Sequence, residues 1–456
     1  MAGTDTNTAK QTTSAVLPEG ILRKTIIIIA LNLVCYVAIY FVNAVLARVL
    51  PTKDYGLYGL IVNTLWTVAT FVLFGFDESG EFFVSTYASL KKHDLLRGFL
   101  EFLTKFFACV SAPLILVSIG FIIISFLHGK LSSLEEYFTI VETSHPILLF
   151  LWIVPCLSVM SCLDYMLTAL QCQTEAIIIR GIIAPLIFFL FVIVYYYFYG
   201  REHAHYALYA YGFSMVILII CQATAIAHHL PSPVWTEKPK EVRKVWVTYA
   251  IPILFYNVIY SSIDTSVMGA MNLFHENKEY LGFYMAITSI SGYFLTSIVY
   301  SILGVFEVHI GSLWEAKDFK AVQSLVNRAL LTTTGLSIAF CIFVALAGRM
   351  LLENFGKNYV VAYPALLVYT ISACLNSATV VWQSLLRFTD NVKALLKVYF
   401  FSFIVLAACV TFGSYRHWSF ERILYGYAAF QIAFFILNYF YVRKVARPVQ
   451  PIPGLG

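Results

Sequence analysis

Apolar residues in this chain come in long blocks separated by short polar breaks. Blocks of about the 20 residues that a bilayer-spanning helix needs cover 25–48, 57–77, 106–127, 147–168, 176–198, 206–228, 246–270, 282–304, 329–349, 360–385, 396–414 and 423–442. The pattern predicts an all-α polytopic membrane protein of about twelve transmembrane helices. The longest connections are 79–97, 129–145, 231–244 and 306–327, none large enough for a soluble domain. Residues 1–20 are polar and Thr-rich and read as a disordered tail; 444–456 form a second tail. The first block is longer than the apolar region of a cleavable signal and is expected to stay in the mature protein.

Composition supports this reading. Of 456 residues, 60% are hydrophobic and 12% charged, with mean hydropathy +0.79. A soluble chain carries about a quarter charged residues. The 16% aromatic content suits membrane interfaces. The small net charge of +5 gives no reason to expect nucleic acid as a partner. With the N-terminus taken as cytoplasmic, Lys and Arg divide twenty to nine in favour of that side. Both termini are therefore expected in the cytoplasm. The nine cysteines fall mostly inside apolar blocks without metal-ligand spacing, and read as small buried hydrophobes.

The chain also repeats. RKTIIIIALNLVCYVAIY at 23–40 aligns without gaps on RKVWVTYAIPILFYNVIY at 243–260, with identities at Arg23/Arg243, Lys24/Lys244, Ala30/Ala250, Tyr36/Tyr256, Ile39/Ile259 and Tyr40/Tyr260. Biased composition alone gives about one or two. Lys53-Asp54-Tyr55-Gly56-Leu57-Tyr58 likewise faces Lys278-Glu279-Tyr280-Leu281-Gly282-Phe283-Tyr284. Helix 1 is thus equivalent to helix 7, six spans on, and the halves share one topology. That is the parallel-repeat arrangement of transporters, with its axis along the membrane normal. The expected domains are an N-lobe at 21–230, a cytoplasmic linker at 231–244 and a C-lobe at 245–443.

Several local patterns, in order, resemble bacterial polysaccharide flippases. ARVLPTKDYGLYGL (47–60) and FGFDESGEFFVSTYAS (74–89) look like the first two helices of that family. LDYMLTALQCQTEAIIIRGIIAPL (163–186) is similar to its fourth-to-fifth helix hairpin. SSIDTSVMGAMNLFHENKEYLGFYMAI (261–287) and WEAKDFKAVQSLVNRAL (314–330) resemble its seventh helix and eighth-to-ninth loop. These flippases belong to the multidrug/oligosaccharidyl-lipid/polysaccharide (MOP) exporter superfamily, together with the multidrug antiporters. The resemblance, over residues 20–440, implies a MATE-like fold: two six-helix lobes around a central cavity open alternately to either side. It further implies a monomer in a bacterial inner membrane, translocating a polyprenyl-diphosphate-linked oligosaccharide for surface polysaccharide such as O-antigen. Glycan polymerases or ligases would be its neighbours. Few basic residues lie deep in a span here, a departure from the family.

Polar residues in a span tend to face the bundle interior or a wet cavity. Asn32, Tyr36, Tyr40 and Asn43 recur at helical spacing on helix 1, and Tyr256, Asn257, Tyr260 and Ser261 form the repeat-equivalent stripe on helix 7. Either these stripes line the substrate cavity or they hydrogen-bond one helix to another. Pro252 supplies a bend in helix 7. Asp264 and Asp164 are candidates for coupling to an H+ or Na+ gradient, the alternatives being a paired carboxylate or one at an interface. Asp77, Glu78 and Glu81 at the inner end of helix 2, Glu307 after helix 8, Arg180 and Arg387 are candidates for a cytoplasmic gate or headgroup contact. Positive-inside anchoring is the plainer reading of the basic ones.

The sequence has no phosphate-binding glycine loop, metal-spaced His cluster or nucleophile elbow. No cofactor, metal or enzymatic activity is expected, and the driving force would be an ion or substrate gradient. Two alternatives stand beside the flippase: a proton- or sodium-coupled multidrug or organic-cation antiporter, and a membrane-embedded glycan polymerase. The short outer loops speak against the polymerase.

Overall fold

The structure is a computed structural model that describes residues 19–127, 146–199, 204–294, 299, 318–388 and 392–445. Among the described residues the regular structure is entirely helical. The first half comprises α1 (Glu19–Val49), α2 (Thr52–Leu73), α3 (Phe76–Ser89), α4 (His93–Leu127), α5 (Ile153–Ala169), α6 (Gln173–Ile178), α7 (Ala184–Tyr199) and α8 (Ala204–His229). The second comprises α9 (Arg243–Phe274), α10 (Glu279–Ile287), α11 (Phe319–Glu353), α12 (Tyr363–Phe388), α13 (Val392–Tyr415) and α14 (Phe420–Val445). One π-helical turn, Ile179–Ile183, joins α6 to α7; another, Thr288–Gly292, continues α10. Taking α2–α3 and α6–α7 as single spans gives two six-span halves in the same order. Among the described residues ten helices are long and apolar enough to cross a membrane, and α5 is a shorter apolar helix. Leu116, Leu190, Leu331 and Leu346 are all more than half exposed on the outer surface. Such faces suit lipid and not water. The chain is a multi-pass membrane protein.

The connections are more helical than the polar breaks suggest. Residues 79–97, expected as a loop, are mostly α3 and the start of α4. Span 2 continues past its apolar block because α2 breaks and restarts. Phe74 (φ 53°) and Gly75 (φ 76°) both adopt the left-handed conformation, and the helix resumes at Phe76. Glycine is needed at 75: a Cβ there would lie 2.4 Å from the Ala250 carbonyl oxygen and 2.9 Å from the Leu254 nitrogen. The break therefore lets α3 press against α9 beside Pro252. Within 306–327 the helix starts at Phe319, where Asp318 accepts a hydrogen bond from Ala321 N at 3.0 Å as an N-cap.

The linker packs on α4. The Arg97 guanidinium donates to the Trp235 and Glu237 carbonyls at 2.7 Å each, and Lys240 N donates to Asp94 O at 3.0 Å. Trp246, fully buried in the first turn of α9, sits against Phe99 and Phe102 and donates to the Tyr87 hydroxyl.

The two halves close on each other at the end remote from the linker. Gly56 of α2 and Gly282 of α10, which the repeat aligns, meet there. A Cβ on Gly56 would come 2.4 Å from Gly282 N, and one on Gly282 would come 2.2 Å from Thr52 O. Small residues allow this approach of backbones, the usual device for packing helices in lipid. Tyr55, Phe283, Phe355 and Tyr359 form an aromatic plug beside the glycines. Further down α2, Thr67 donates to Ser261 O at 2.9 Å and meets the Thr265 hydroxyl at 2.9 Å.

Candidate functional site

Between the halves lies a cavity of about 2640 Å³, lined from both and reaching Ser85, Gln171, Thr174 and Lys244 at helix ends on the linker side. Drug-sized pockets hold about 300–1,000 Å³. This space is larger.

Helix 1 contributes a different face from the one its polar spacing suggests. Asn32, Cys35, Ile39 and Asn43 line the cavity, whereas Tyr36 and Tyr40 do not. Tyr36 donates to Ile290 O at 2.8 Å, and Tyr40 donates to Leu351 O at 3.0 Å while accepting from Asn354 Nδ2. Both tyrosines are buried contacts to the second half, not cavity walls. A four-residue step turns a helix about 400°, about 40° past a full turn. By Tyr40 the stripe that starts at Asn32 has rotated into the seam. Asn32 and Asn43 each bond back to a carbonyl one turn earlier on α1. Beyond them, Arg48 donates to Asn354 O at 2.7 Å.

Helix 7 keeps its stripe on the cavity. Tyr256, Asn257, Tyr260, Ser261 and Asp264 all line it. Tyr256 and Tyr260 stack at 6.3 Å, and Tyr399 stands edge-on to Tyr256 at 5.0 Å. Asn257 Nδ2 donates to both carboxylate oxygens of Asp77, at 3.3 and 3.5 Å, so the acid of span 2 and the amide of span 7 form one contact between the halves. Glu78 and Glu81 line the cavity mouth beside them.

Asp164 and Arg180, treated separately above, are a pair. Arg180 Nη1 lies 2.8 Å from Asp164 Oδ2, and Gln222 Nε2 lies 3.5 Å from Oδ1. Arg180 sits in the π-helical turn, which Gly181 packs tightly on Cys35 of α1. Its side chain is 56% exposed to the cavity, that of Asp164 only 11%. Arg387 stands one residue before the end of α12, its side chain outside the described residues, and Glu307 lies outside them altogether.

Asp264 heads a cluster that the repeat gave no reason to single out. The buried Tyr284 hydroxyl donates to Asp264 Oδ1 at 2.6 Å. Tyr369 stands edge-on to Tyr284 and stacks on Tyr427 at 4.7 Å, and Gln431 donates to the Tyr427 hydroxyl at 2.8 Å. In the first half, Trp66 donates to the Tyr211 hydroxyl at 2.9 Å on the opposite wall. A signal was present: Gln431 four residues after Tyr427 is a polar pair inside an apolar block. Among the described lining residues, Asp77, Glu78, Glu81, Asp164 and Asp264 face only two bases, Arg180 and Lys244.

No family model matches the chain, and neither does any curated protein. Solved structures do match. An inward-facing multidrug resistance MATE family transporter of the MOP superfamily superposes with TM-score 0.67 at 10% identity, over 92% of this chain and 98% of that one. An outward-facing transporter of the same description gives 0.64 at 11%, over 93% and 95%. A MOP superfamily transporter from Pyrococcus furiosus, whose reverse-polarity binding pocket suggests a different function for it, gives 0.63 at 11%, over 94% and 95%. At these identities the likeness is one of fold: the chain has the MATE-like fold of MOP superfamily transporters.

Proposed function

We propose that this chain is a secondary transporter working by alternating access, with an organic cation as its substrate. The surplus of carboxylates in the cavity carries this reading. Among the described lining residues, five acids against two bases, one base already paired with Asp164, leave a negative field in a space walled by aromatic rings. Carboxylates and ring faces both attract a cation, and rings do so best when water is excluded. The glycine seam supports an assignment as the state closed on the far side, open towards the linker. The Lys and Arg distribution supports a cytoplasmic linker side. Asp264 is the coupling acid in this reading, because it is partly buried, faces the cavity and has a hydroxyl donor on one oxygen.

A second reading has its own observation. The Arg180 guanidinium is exposed to the cavity and suits phosphate oxygens. With stacked tyrosines for sugar rings, it would serve a lipid-linked oligosaccharide. Proteoliposomes with an imposed pH gradient separate the two. Gradient-driven movement of ethidium, with no translocation of a fluorescent polyprenyl-diphosphate glycan, is the expected result. Glycan translocation without cation movement overturns the organic-cation assignment.

A further inference from the structure

Cys341 and Cys374 read from sequence as unrelated small hydrophobes. The fold brings their Sγ atoms to 2.8 Å across the α11–α12 interface. The arrangement is reciprocal. Cys374 Sγ points at Ser337 O, one turn before Cys341, at 3.2 Å, and Cys341 Sγ points at Thr370 O, one turn before Cys374, at 3.8 Å. Both thiols are only partly buried. No other cysteine pair is found in contact among the described residues. We propose that Cys341 and Cys374 are a dithiol modification site that a hydroperoxide converts to a disulfide, joining α11 to α12. The proposal stands apart from the transport reading.

The chemistry balances with a hydroperoxide as the named oxidant. One cysteine sulfur attacks the terminal peroxide oxygen. An S–O bond forms, the O–O bond breaks, and the departing alkoxide takes the thiol proton to leave as alcohol. The second sulfur then attacks the sulfenic sulfur. An S–S bond forms, the S–O bond breaks, and the departing hydroxide takes the second thiol proton to leave as water. Two thiols are oxidised and one peroxide is reduced. The sulfurs close from 2.8 Å to the about 2.05 Å of a disulfide, a short movement for two helices already in contact. A small uncharged hydroperoxide reaches a partly buried thiol inside the apolar layer, where a charged oxidant does not. The bond ties together two elements with distinct contacts. The end of α11 receives Tyr40 at Leu351, and α12 carries Tyr369 of the Asp264 cluster.

The test uses the full chain in lipid nanodiscs treated with tert-butyl hydroperoxide. Remaining thiols are blocked with N-ethylmaleimide under denaturing conditions, disulfides are reduced, and the released thiols take deuterated N-ethylmaleimide before mass spectrometry. Cys341 and Cys374 are expected to gain the heavy label together and to equal extent. Cys109, which is exposed, keeps the light one. In Cys341→Ser, the heavy label on Cys374 is lost. Light label on both cysteines of the treated wild-type chain overturns the proposal, and so does heavy label on Cys374 that survives in Cys341→Ser. The wild-type experiment decides the matter even where the variant does not fold.

Discussion

Arg180 and Asp164 meet at 2.8 Å although they stand on different helices, one in a π-helical turn and the other inside α5. The turn carries an extra residue per hydrogen-bonded ring, which re-aims a side chain that a regular helix would point elsewhere. The pair fixes a guanidinium on the wall of an otherwise acidic cavity.

Removing the guanidinium alone leaves a mostly buried carboxylate with only Gln222 against it among the described residues. Arg180→Ala should therefore cost about 1–3 kcal/mol of stability. Asp164→Asn in the same chain should recover part of that loss. Thermal unfolding of the two single variants and the double variant in detergent gives the coupling. Strictly additive losses would show that the pair is not an energetic unit.

Asp264 lies at the cavity with Tyr284 behind it. Asp264→Asn should abolish the dependence of transport on an imposed pH gradient while leaving downhill movement of substrate measurable. Tyr284→Phe removes the donor and should weaken the dependence to a lesser degree. Initial rates in proteoliposomes over a range of gradients report both; gradient dependence unchanged in Asp264→Asn removes this acid from coupling.

In the proposed state the glycine seam is the closure on the far side. Gly56→Ala places a methyl group where Gly282 N now lies within 2.4 Å. Overpacking of this kind costs about 1–3 kcal/mol, equivalent to a roughly 5- to 150-fold change in the closed-to-open ratio. Asn43→Cys, at the far end of the cavity, should then label faster with an impermeant maleimide added from the side remote from the linker. An unchanged labelling rate would mean the seam is not the barrier.

Glu241 in the linker is held below the usual carboxylate range by its hydrogen bond from Arg243, with Lys105 3.6 Å away adding to the effect. A depressed carboxyl contributes stability above its unfolded pKa and loses it as pH falls through the lowered value. The linker should thus hold its place across neutral pH and loosen only in strong acid. A nitroxide at Thr236→Cys should report low mobility at neutral pH, a rise in acid, and a rise already at neutral pH when Glu241→Gln is added. Mobility independent of both would exclude a role for the ion pair.

Much of the architecture was legible in the sequence, because hydrophobic blocks are a bulk property that local accidents do not disturb. Span 2 was the exception. The helix breaks inside its apolar block, where Phe74 and Gly75 turn left-handed, and the polar α3 that follows is held by contacts with α5 and α9 that no local signal records. The repeat pointed to helix 7, and Tyr256, Asn257, Tyr260, Ser261 and Asp264 share the cavity wall. It misplaced Tyr36 and Tyr40, which bond to the Ile290 and Leu351 carbonyls instead, because pseudo-symmetric helices meet different neighbours. Arg180 and Asp164 were found singly. Their meeting depends on a π turn, which leaves no trace in periodicity.

Tyr36, Tyr40 and Arg48 hold the far side shut by landing on the backbone oxygens of Ile290, Leu351 and Asn354. Every amino acid supplies a carbonyl. Ile290 and Leu351 are therefore free to exchange side chains of compatible size over evolutionary time without losing the latch, whereas Asn354 also donates its side-chain amide to Tyr40. The donating positions in the first half are not, since only a hydroxyl or guanidinium of the right reach will do. Sequence drift in this protein should accordingly be lopsided across the seam, with one half of the latch written in side chains and the other in the main chain.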